Sequence, residues 1–462
     1  VPINTAPTKF GGPTDGPTAF TQDIIATVGN PPVLLTNTTP VSRYNYWDYI
    51  FRTGIGTDNN VSVSAGTDKT KVFASASYFY NQGIIKNTDF QRYSFRVNLD
   101  QQLSSKLSLT GGLNYVNSTA NEKPDGNSFF SPMNSVTIIG NFHDLFTRDG
   151  LGNLRAVGER GRVNPVSVIE DIQQQQRVSR IIGNTGLKWN AFRNFNLTYT
   201  LGIDNFVQNG NTFIPPFAYN VSPAFFGGGF PINESQNGYA SAATNTFFQI
   251  NHEVNGTYSF NINNNLASVT QVGYSVQYEK NNYILAQGRG LAPVIRTVNA
   301  ASTQLLPLDV QSELSISGVF VQQNFKFRNK LFITGALRLD NSSVFGPDQR
   351  NQIYRKLSGS YIISGEDYWN VSTINLLKVR AAYGESGNLT GIGPYARINS
   401  YNNSPFLGRT SFTSGTTLAN ENVRPERQNE LEFGVDLAAF SDRIGLTANF
   451  YNKRVTDLLF PR

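Results

Sequence analysis

Over much of this chain, apolar and polar residues take turns at every second position, a period that confines those segments to β-strands with one greasy and one polar face. Tyr93, Phe95, Val97 and Leu99 alternate with Ser94, Arg96, Asn98 and Asp100. Phe248, Ile250, Val254 and Tyr258 alternate with Gln249, Asn251, Glu253 and Thr257. Leu331, Ile333, Leu337 and Leu339 repeat the pattern against Thr334, Arg338 and Asp340, as do Leu431, Phe433, Val435 and Leu437 against Glu432, Gly434 and Asp436. The alternation predicts fourteen strands, near 60–67, 71–80, 91–101, 105–117, 178–190, 195–206, 244–259, 265–278, 312–328, 330–340, 355–364, 373–384, 429–440 and 443–457.

The connections sort into two kinds. Tight ones fall at Asp68-Lys69, Gln102-Leu103-Ser104, Ala191 to Asn194, Asn261 to Asn264, Asn329 and Ser441-Asp442, with a longer Gly365 to Ser372. Between them come long links at 81–90, 118–177, 207–243, 279–311, 341–354 and 385–428. Short turns on one rim and long loops on the other mark an outer-membrane barrel, with its turns in the periplasm and its loops outside. A soluble sandwich or propeller also alternates, but nothing obliges it to sort its loops this way. Tyr78, Tyr80, Tyr115, Phe206, Tyr258, Tyr274, Tyr278, Tyr383 and Tyr451 lie at or near strand ends, where an aromatic girdle meets lipid headgroups. The expected fold is all-β: a transmembrane antiparallel up-and-down β-barrel.

Composition agrees. The 462 residues include 41 Gly, 33 Phe and 21 Tyr, and only 15% are charged. Such a mixture suits pleated surfaces better than helices. With no cysteine there is no disulfide, thiolate metal site or cysteine nucleophile. The net charge of +6 is spread along the chain without basic runs, which argues against nucleic acid as a partner. No stretch approaches the roughly 18 continuous apolar residues of a spanning helix. Val1 to Phe10 shows neither the basic nor the apolar region of a signal peptide.

Catalysis finds little support. His143 and His252 are over a hundred residues apart and read as structural, so no triad or metal site is expected. Glu366-Asp367 and the pair Glu430 and Glu432 resemble the paired carboxylates of glycosidases, but nothing sets an acid opposite a base, and the last two share a strand face. The Gly-rich run Phe225-Phe226-Gly227-Gly228-Gly229-Phe230 lacks the Lys-Ser/Thr of a phosphate cradle. It reads as an aromatic loop tip, in which Phe225, Phe226 and Phe230 are candidates to touch solute or a partner. Arg96, Glu253, Arg338, Asp340, Lys378, Arg380 and Asp436 occupy polar strand faces and should point into the barrel, because a charge on the lipid face costs about 2–4 kcal/mol at the midplane. Anchoring a plug by salt bridges is the favoured role, and lining a solute path the sharper one.

Three landmarks resemble the SusC/RagA-like TonB-dependent transporters of Bacteroidetes-type bacteria. The first runs Tyr46-Trp47-Asp48-Tyr49-Ile50-Phe51-Arg52-Thr53-Gly54, then Asn60-Val61-Ser62-Val63-Ser64-Ala65-Gly66, and continues through Gln82-Gly83-Ile84-Ile85 into Phe90-Gln91-Arg92-Tyr93. The second is Leu377-Lys378-Val379-Arg380-Ala381-Ala382-Tyr383-Gly384 with Gly393-Pro394-Tyr395. The third is Val423-Arg424-Pro425-Glu426 with Asn429-Glu430-Leu431-Glu432-Phe433-Gly434, followed by Asn449-Phe450-Tyr451-Asn452.

The resemblance implies energised import across the outer membrane: a solute such as an oligosaccharide or peptide enters under a SusD-like surface lipoprotein and is released when the TonB complex pulls on a plug. It implies no bond chemistry, cofactor or metal. Residues 1–59 would be a post-plug extracellular segment and 60–462 part of the barrel, with long extracellular loops at 118–177, 207–243, 279–311 and 385–428. A passive porin or secretion channel and a soluble carbohydrate-binding or adhesive β-protein are the rival readings. Strand parity adds an expectation. A first strand at 60–67 that runs into the tight turn Asp68-Lys69 descends from outside, so at least one ascending strand should precede residue 60, and by the same parity another should follow 457. No convincing strand is visible from Val1 to Ser42, so the chain is expected to be incomplete at both ends; the resemblance implies about 22 strands in all, with these at roughly positions two to fifteen.

Overall fold

The computed structural model describes residues 18–24, 34–40 and 42–459, except 129, 149, 151, 153, 155–161, 217–233, 293, 405 and 416–418. A hairpin of β1 (Thr18–Ile24) and β2 (Leu34–Pro40) comes first, then the short helix α1 (Tyr46–Ile50). The body of the chain follows: β3 (Gly56–Gly66), β4 (Thr70–Gln82), β5 (Asp89–Gln102), β6 (Leu107–Asn121), β7 (Gln173–Phe192), β8 (Phe195–Ile214), β9 (Tyr239–Asn263) and β10 (Leu266–Leu291). After the short β11 (Ala301–Gln304) come β12 (Leu308–Phe327), β13 (Leu331–Ser342), β14 (Asn351–Ile362) and β15 (Ile374–Asn388). A small hairpin of β16 (Tyr401–Asn403) and β17 (Phe412–Ser414) precedes β18 (Glu426–Ala439) and β19 (Ile444–Thr456).

The fourteen strands anticipated by the alternation form one antiparallel meander, β3 to β10, β12 to β15, β18 and β19, each paired with its neighbour in that order. Consecutive antiparallel pairing puts the tight turns on one rim and the loops 122–172, 215–238, 292–307 and 389–425 on the other, as expected. The turn at Arg328-Asn329 has positive φ at both central residues (48° and 56°), the hairpin geometry whose twist matches its strands. The hairpin of β1 and β2 corrects the expectation of no strand before Ser42. Its strands, Thr-Ala-Phe-Thr-Gln-Asp-Ile and Leu-Leu-Thr-Asn-Thr-Thr-Pro, are Thr-rich without a sustained apolar row, so the signal sought was not there.

Continuous register keeps each strand's two faces distinct, because side chains alternate with period two. Phe95, Val97, Leu337, Leu339, Phe433 and Val435 share one face and are 39–54% exposed. Hydrophobic residues this exposed, strand after strand, make a continuous apolar surface. Tyr78, Tyr115, Tyr258, Tyr274, Tyr278 and Tyr383 lie on the same face; Phe206 and Tyr451, expected in the girdle, do not. Phe206 pairs with Arg180 and Tyr451 with Glu432, both on the polar face.

On the long-loop rim the connection from β6 to β7 is folded. It carries α2 (Pro132–Ile138) and α3 (Pro165–Glu170), each begun by a proline and capped by Ser131 or Asn164. Tyr46 and Ile50 of α1 pack with Val136, Ile139, Leu145, Val166 and Ile169, and the Tyr46 hydroxyl donates to the carbonyls of Gly140 (2.8 Å) and His143 (2.7 Å). The aromatic landmark at 46–50 is thus the core of a small cap built beside the rim.

Candidate functional site

The polar face carries the chemistry. At its centre Arg380 of β15 reaches across to β18: Nε and Nη2 donate to the two oxygens of Asp436 at 3.0 and 3.2 Å, Nη1 reaches Glu432 at 3.4 Å, and Nη2 also meets Oδ1 of Asn449 on β19 at 2.7 Å. The planar fork fits the carboxylate bidentately, which sets the guanidinium's orientation as well as its charge balance. Lys378 shares this face, opposite Asp436 in register. Lys378, Arg380 and Glu432 line a cavity of about 250 Å³ together with Thr334, Ser358 and Ser360.

A second pair lies along β13, where Nε of Arg338 donates to Asp340 at 2.6 Å and Nη2 donates to Ser275 on β10 at 3.2 Å. Arg96 and Glu253 occupy the same polar face on β5 and β9, but neither joins these clusters. Sequence reasoning missed a third pair: Arg180 of β7 forks onto both oxygens of Asp204 on β8, with its guanidinium 5.9 Å from the ring of Phe206, which stacks on Phe247. The doublet Ile181-Ile182 interrupts the alternation around Arg180 and hid it.

Two cavities sit toward the long-loop rim. One of about 400 Å³ lies on the polar face, where Phe247, Glu279 and Ser312 meet the loop segment Thr390 to Pro394. The other, about 880 Å³, has as its floor the row Asp89, Asn121, Gln175, Asn211, Ala242 and Ala286, each paired with the next across six strands. Asn121 donates to Asp89 (2.9 Å) and Gln175 to Asn121 (3.0 Å). By register this row continues the apolar face upward. Lys123, at its edge, donates to the carbonyl of Ile172, and burial pushes its amine down to about 8.

Of the remaining candidates, Glu366 sits in the turn after β14, where it accepts from Lys330 at 3.0 Å and from the Tyr361 hydroxyl at 3.0 Å; the ammonium holds this carboxyl below its usual range. His252 bonds the Tyr199 hydroxyl. Among the described residues no group of three or more His, Cys, Asp and Glu is placed to hold a metal ion. Phe225, Phe226 and Phe230 lie outside the described residues.

One antiparallel meander with an exposed apolar face, a face of paired charges and its loops sorted by length is the wall of an up-and-down β-barrel. The chain belongs to the TonB dependent receptor-like, beta-barrel family, which matches residues 146–462. TonB-dependent receptor P26 of Formosa agariphila is 25% identical over 413 residues, 87% of this chain and 40% of the relative. TonB-dependent receptor SusC of Bacteroides thetaiotaomicron is 22% identical over 451 residues, 90% of this chain and 42% of the relative. The chain therefore spans under half the length of the curated relatives it matches. Among solved structures, the RagAB peptide transporter superposes with a TM-score of 0.74 at 18% identity, over 91% of this chain and 47% of that one.

Proposed function

We propose that this chain is the greater part of the wall of an outer-membrane importer, which takes up a bulky solute, an oligosaccharide or a peptide, with energy from a TonB complex. The observation that carries the reading is the pairing of an exposed apolar face with a face of crosslinked charges on one continuous sheet. The first face suits lipid and the second an enclosed aqueous lumen. Arg96, Glu253, Arg338, Asp340, Lys378 and Arg380 then point inward, where the ion pairs anchor a plug and the remaining charges line the path. Residues 1–59 serve as an extracellular segment leading into the barrel of 60–462.

A SusD-like lipoprotein docks over the long loops as a lid, and Phe225, Phe226 and Phe230 are its candidate contacts. SusC and the RagAB peptide transporter, among the relatives, support an importer of this kind. The test is to delete the gene for the intact protein and restore it with or without residues 217–233. Loss of uptake of the cognate glycan or peptide on deletion, and loss of the co-purifying lipoprotein on loop removal, are expected. Undiminished uptake in the deletion strain would overturn the proposal.

A further inference from the structure

Toward the long-loop rim the polar face of β9, β10 and β12 changes character. Gln249, Glu279 and Leu314 form one cross-strand row, and Phe247, Asn281 and Ser312 the next one up. Above these, Tyr283 pairs with Val310 and Leu285 with Leu308, so β10 and β12 set four apolar side chains on a face that elsewhere carries amides and charges. Leu308 and Val310 remain 45% and 44% exposed. Tyr283 stands four residues, roughly 14 Å, beyond Glu279 along β10.

The cavity of about 400 Å³ opens at the Glu279 carboxylate, between the row of Phe247, Asn281 and Ser312 and the loop segment Thr390 to Pro394. That segment is fixed at its base, where the Ser342 hydroxyl donates to the Leu389 carbonyl at 3.0 Å. Among the described residues that line the cavity, Glu279 alone is charged. Its carboxylate accepts from the Gln277 amide and, among the described residues, meets no cation. Other charges on this part of the face cancel in pairs, Arg180 with Asp204 and Arg338 with Asp340. An anion in a concave wall whose neighbours are neutralised focuses its field on the space in front of it. Phe247 lines the same space, with Phe206 stacked on it at 5.1 Å between centroids, so a cation entering there also meets an aromatic ring.

We propose that Glu279 and the apolar rows above it form a subsite for a basic peptide, with a lysine or arginine side chain of the solute on the carboxylate and its apolar neighbours against Tyr283, Leu285, Leu308 and Val310. The cation donates a charge-assisted hydrogen bond to Glu279 beside the Phe247 ring. An extended peptide covers the distance from Glu279 to Tyr283 in about four residues, so one short segment reaches both parts of the subsite. A neutral oligosaccharide fits less well, because its hydroxyls would leave water for four side chains that offer them little to bond.

The inference rests on the importer reading, in which the polar face encloses the lumen, and narrows the solute to a basic peptide. The intact protein in mild detergent is titrated calorimetrically with an end-capped heptapeptide of leucine and alanine carrying one central lysine, and with its glutamine and glutamate analogues. The lysine peptide should bind about tenfold tighter than the glutamine one, and the glutamate peptide more weakly still. In E279Q the advantage of lysine over glutamine should fall to about one while affinity for the glutamine peptide is kept, which also shows that the variant folds. E279K should favour the glutamate peptide. Equal binding of the three peptides, binding of none, an undiminished lysine preference in E279Q, or displacement of the lysine peptide by an equal concentration of maltoheptaose would each overturn the proposal. The importer reading fails separately, when uptake of the cognate solute survives deletion of the gene.

Discussion

The Tyr199 hydroxyl lies 2.9 Å from Nδ1 of His252, and both side chains belong to the apolar face, on the neighbouring strands β8 and β9. Two polar groups on an apolar face are tolerable because they satisfy each other. Tyr199→Phe removes one partner and leaves the imidazole alone, which should destabilise the barrel by about 1–3 kcal/mol. The double variant Y199F/H252L removes both and should lie close to the native stability. Urea unfolding in phospholipid bilayers measures both; a single variant no less stable than the double would contradict the account.

Arg380 and Asp436 should matter through the plug. In R380Q the Asp436 carboxylate loses its forked partner on the polar face, and the proposed anchoring loosens. Sensitivity of cells to a large antibiotic normally excluded by the outer membrane should rise severalfold, and the swapped pair R380D/D436R should restore much of the exclusion. Unchanged sensitivity in R380Q would remove this pair from the anchoring role.

Lys123 supplies a pH dependence. Its amine titrates near 8 in the folded protein against an ordinary value of 10.5, because burial disfavours the charged form. Between those values the unfolded chain binds more protons than the folded one, so the cap around α3 gains stability as pH rises from about 8 to 10.5. Below 8 the cost of burying the charge is present in full. Reductive ¹³C-methylation followed by NMR titration should find one lysine with a midpoint near 8, absent in K123M. Midpoints at 10 or above for every lysine would refute the assignment.

The turn at Arg328-Asn329 is a site for improvement. A non-glycine residue at positive φ is strained, and Asn-Gly is the sequence this turn geometry favours. R328N/N329G should stabilise the hairpin of β12 and β13 by about 0.5–1 kcal/mol, the left-handed strain relieved less the extra freedom that glycine gives the unfolded chain, read from the urea midpoint. A lower midpoint would show that the Arg328 guanidinium, 5.2 Å from the Phe327 ring, contributes more than the turn strain costs.

Much of this architecture was legible because a strand with one apolar and one polar face carries a period of two. Phe433 and Val435 against Glu432 and Asp436 show it plainly. Where a strand leaves the apolar band the period vanishes, and the prediction stopped short. β9 begins at Tyr239, five residues before its expected start at 244, through Ser241, Ala242 and Ala243; β10 runs to Leu291, past an expected end at 278. The helices of the cap were hidden because each is at most seven residues long, too short for a helical period to emerge. At the site, single charges such as Arg380 and Arg338 could be assigned a face from parity alone. Their partners could not, since the match of Arg380 with Asp436 spans 56 positions and depends on a register that only the paired sheet reveals.

The central claim is that one face of this sheet meets lipid and the other an aqueous lumen. Single cysteines at 96 and 97, placed in the intact protein in its native membrane, test it most directly, since Arg96 and Val97 are adjacent and point to opposite faces. A lipid-soluble maleimide should label position 97 and spare 96, while a membrane-impermeant one that enters the lumen should do the reverse. Preferential lipid-phase labelling at 96 would contradict the account, because register allows no single strand to turn over without inverting its whole pattern.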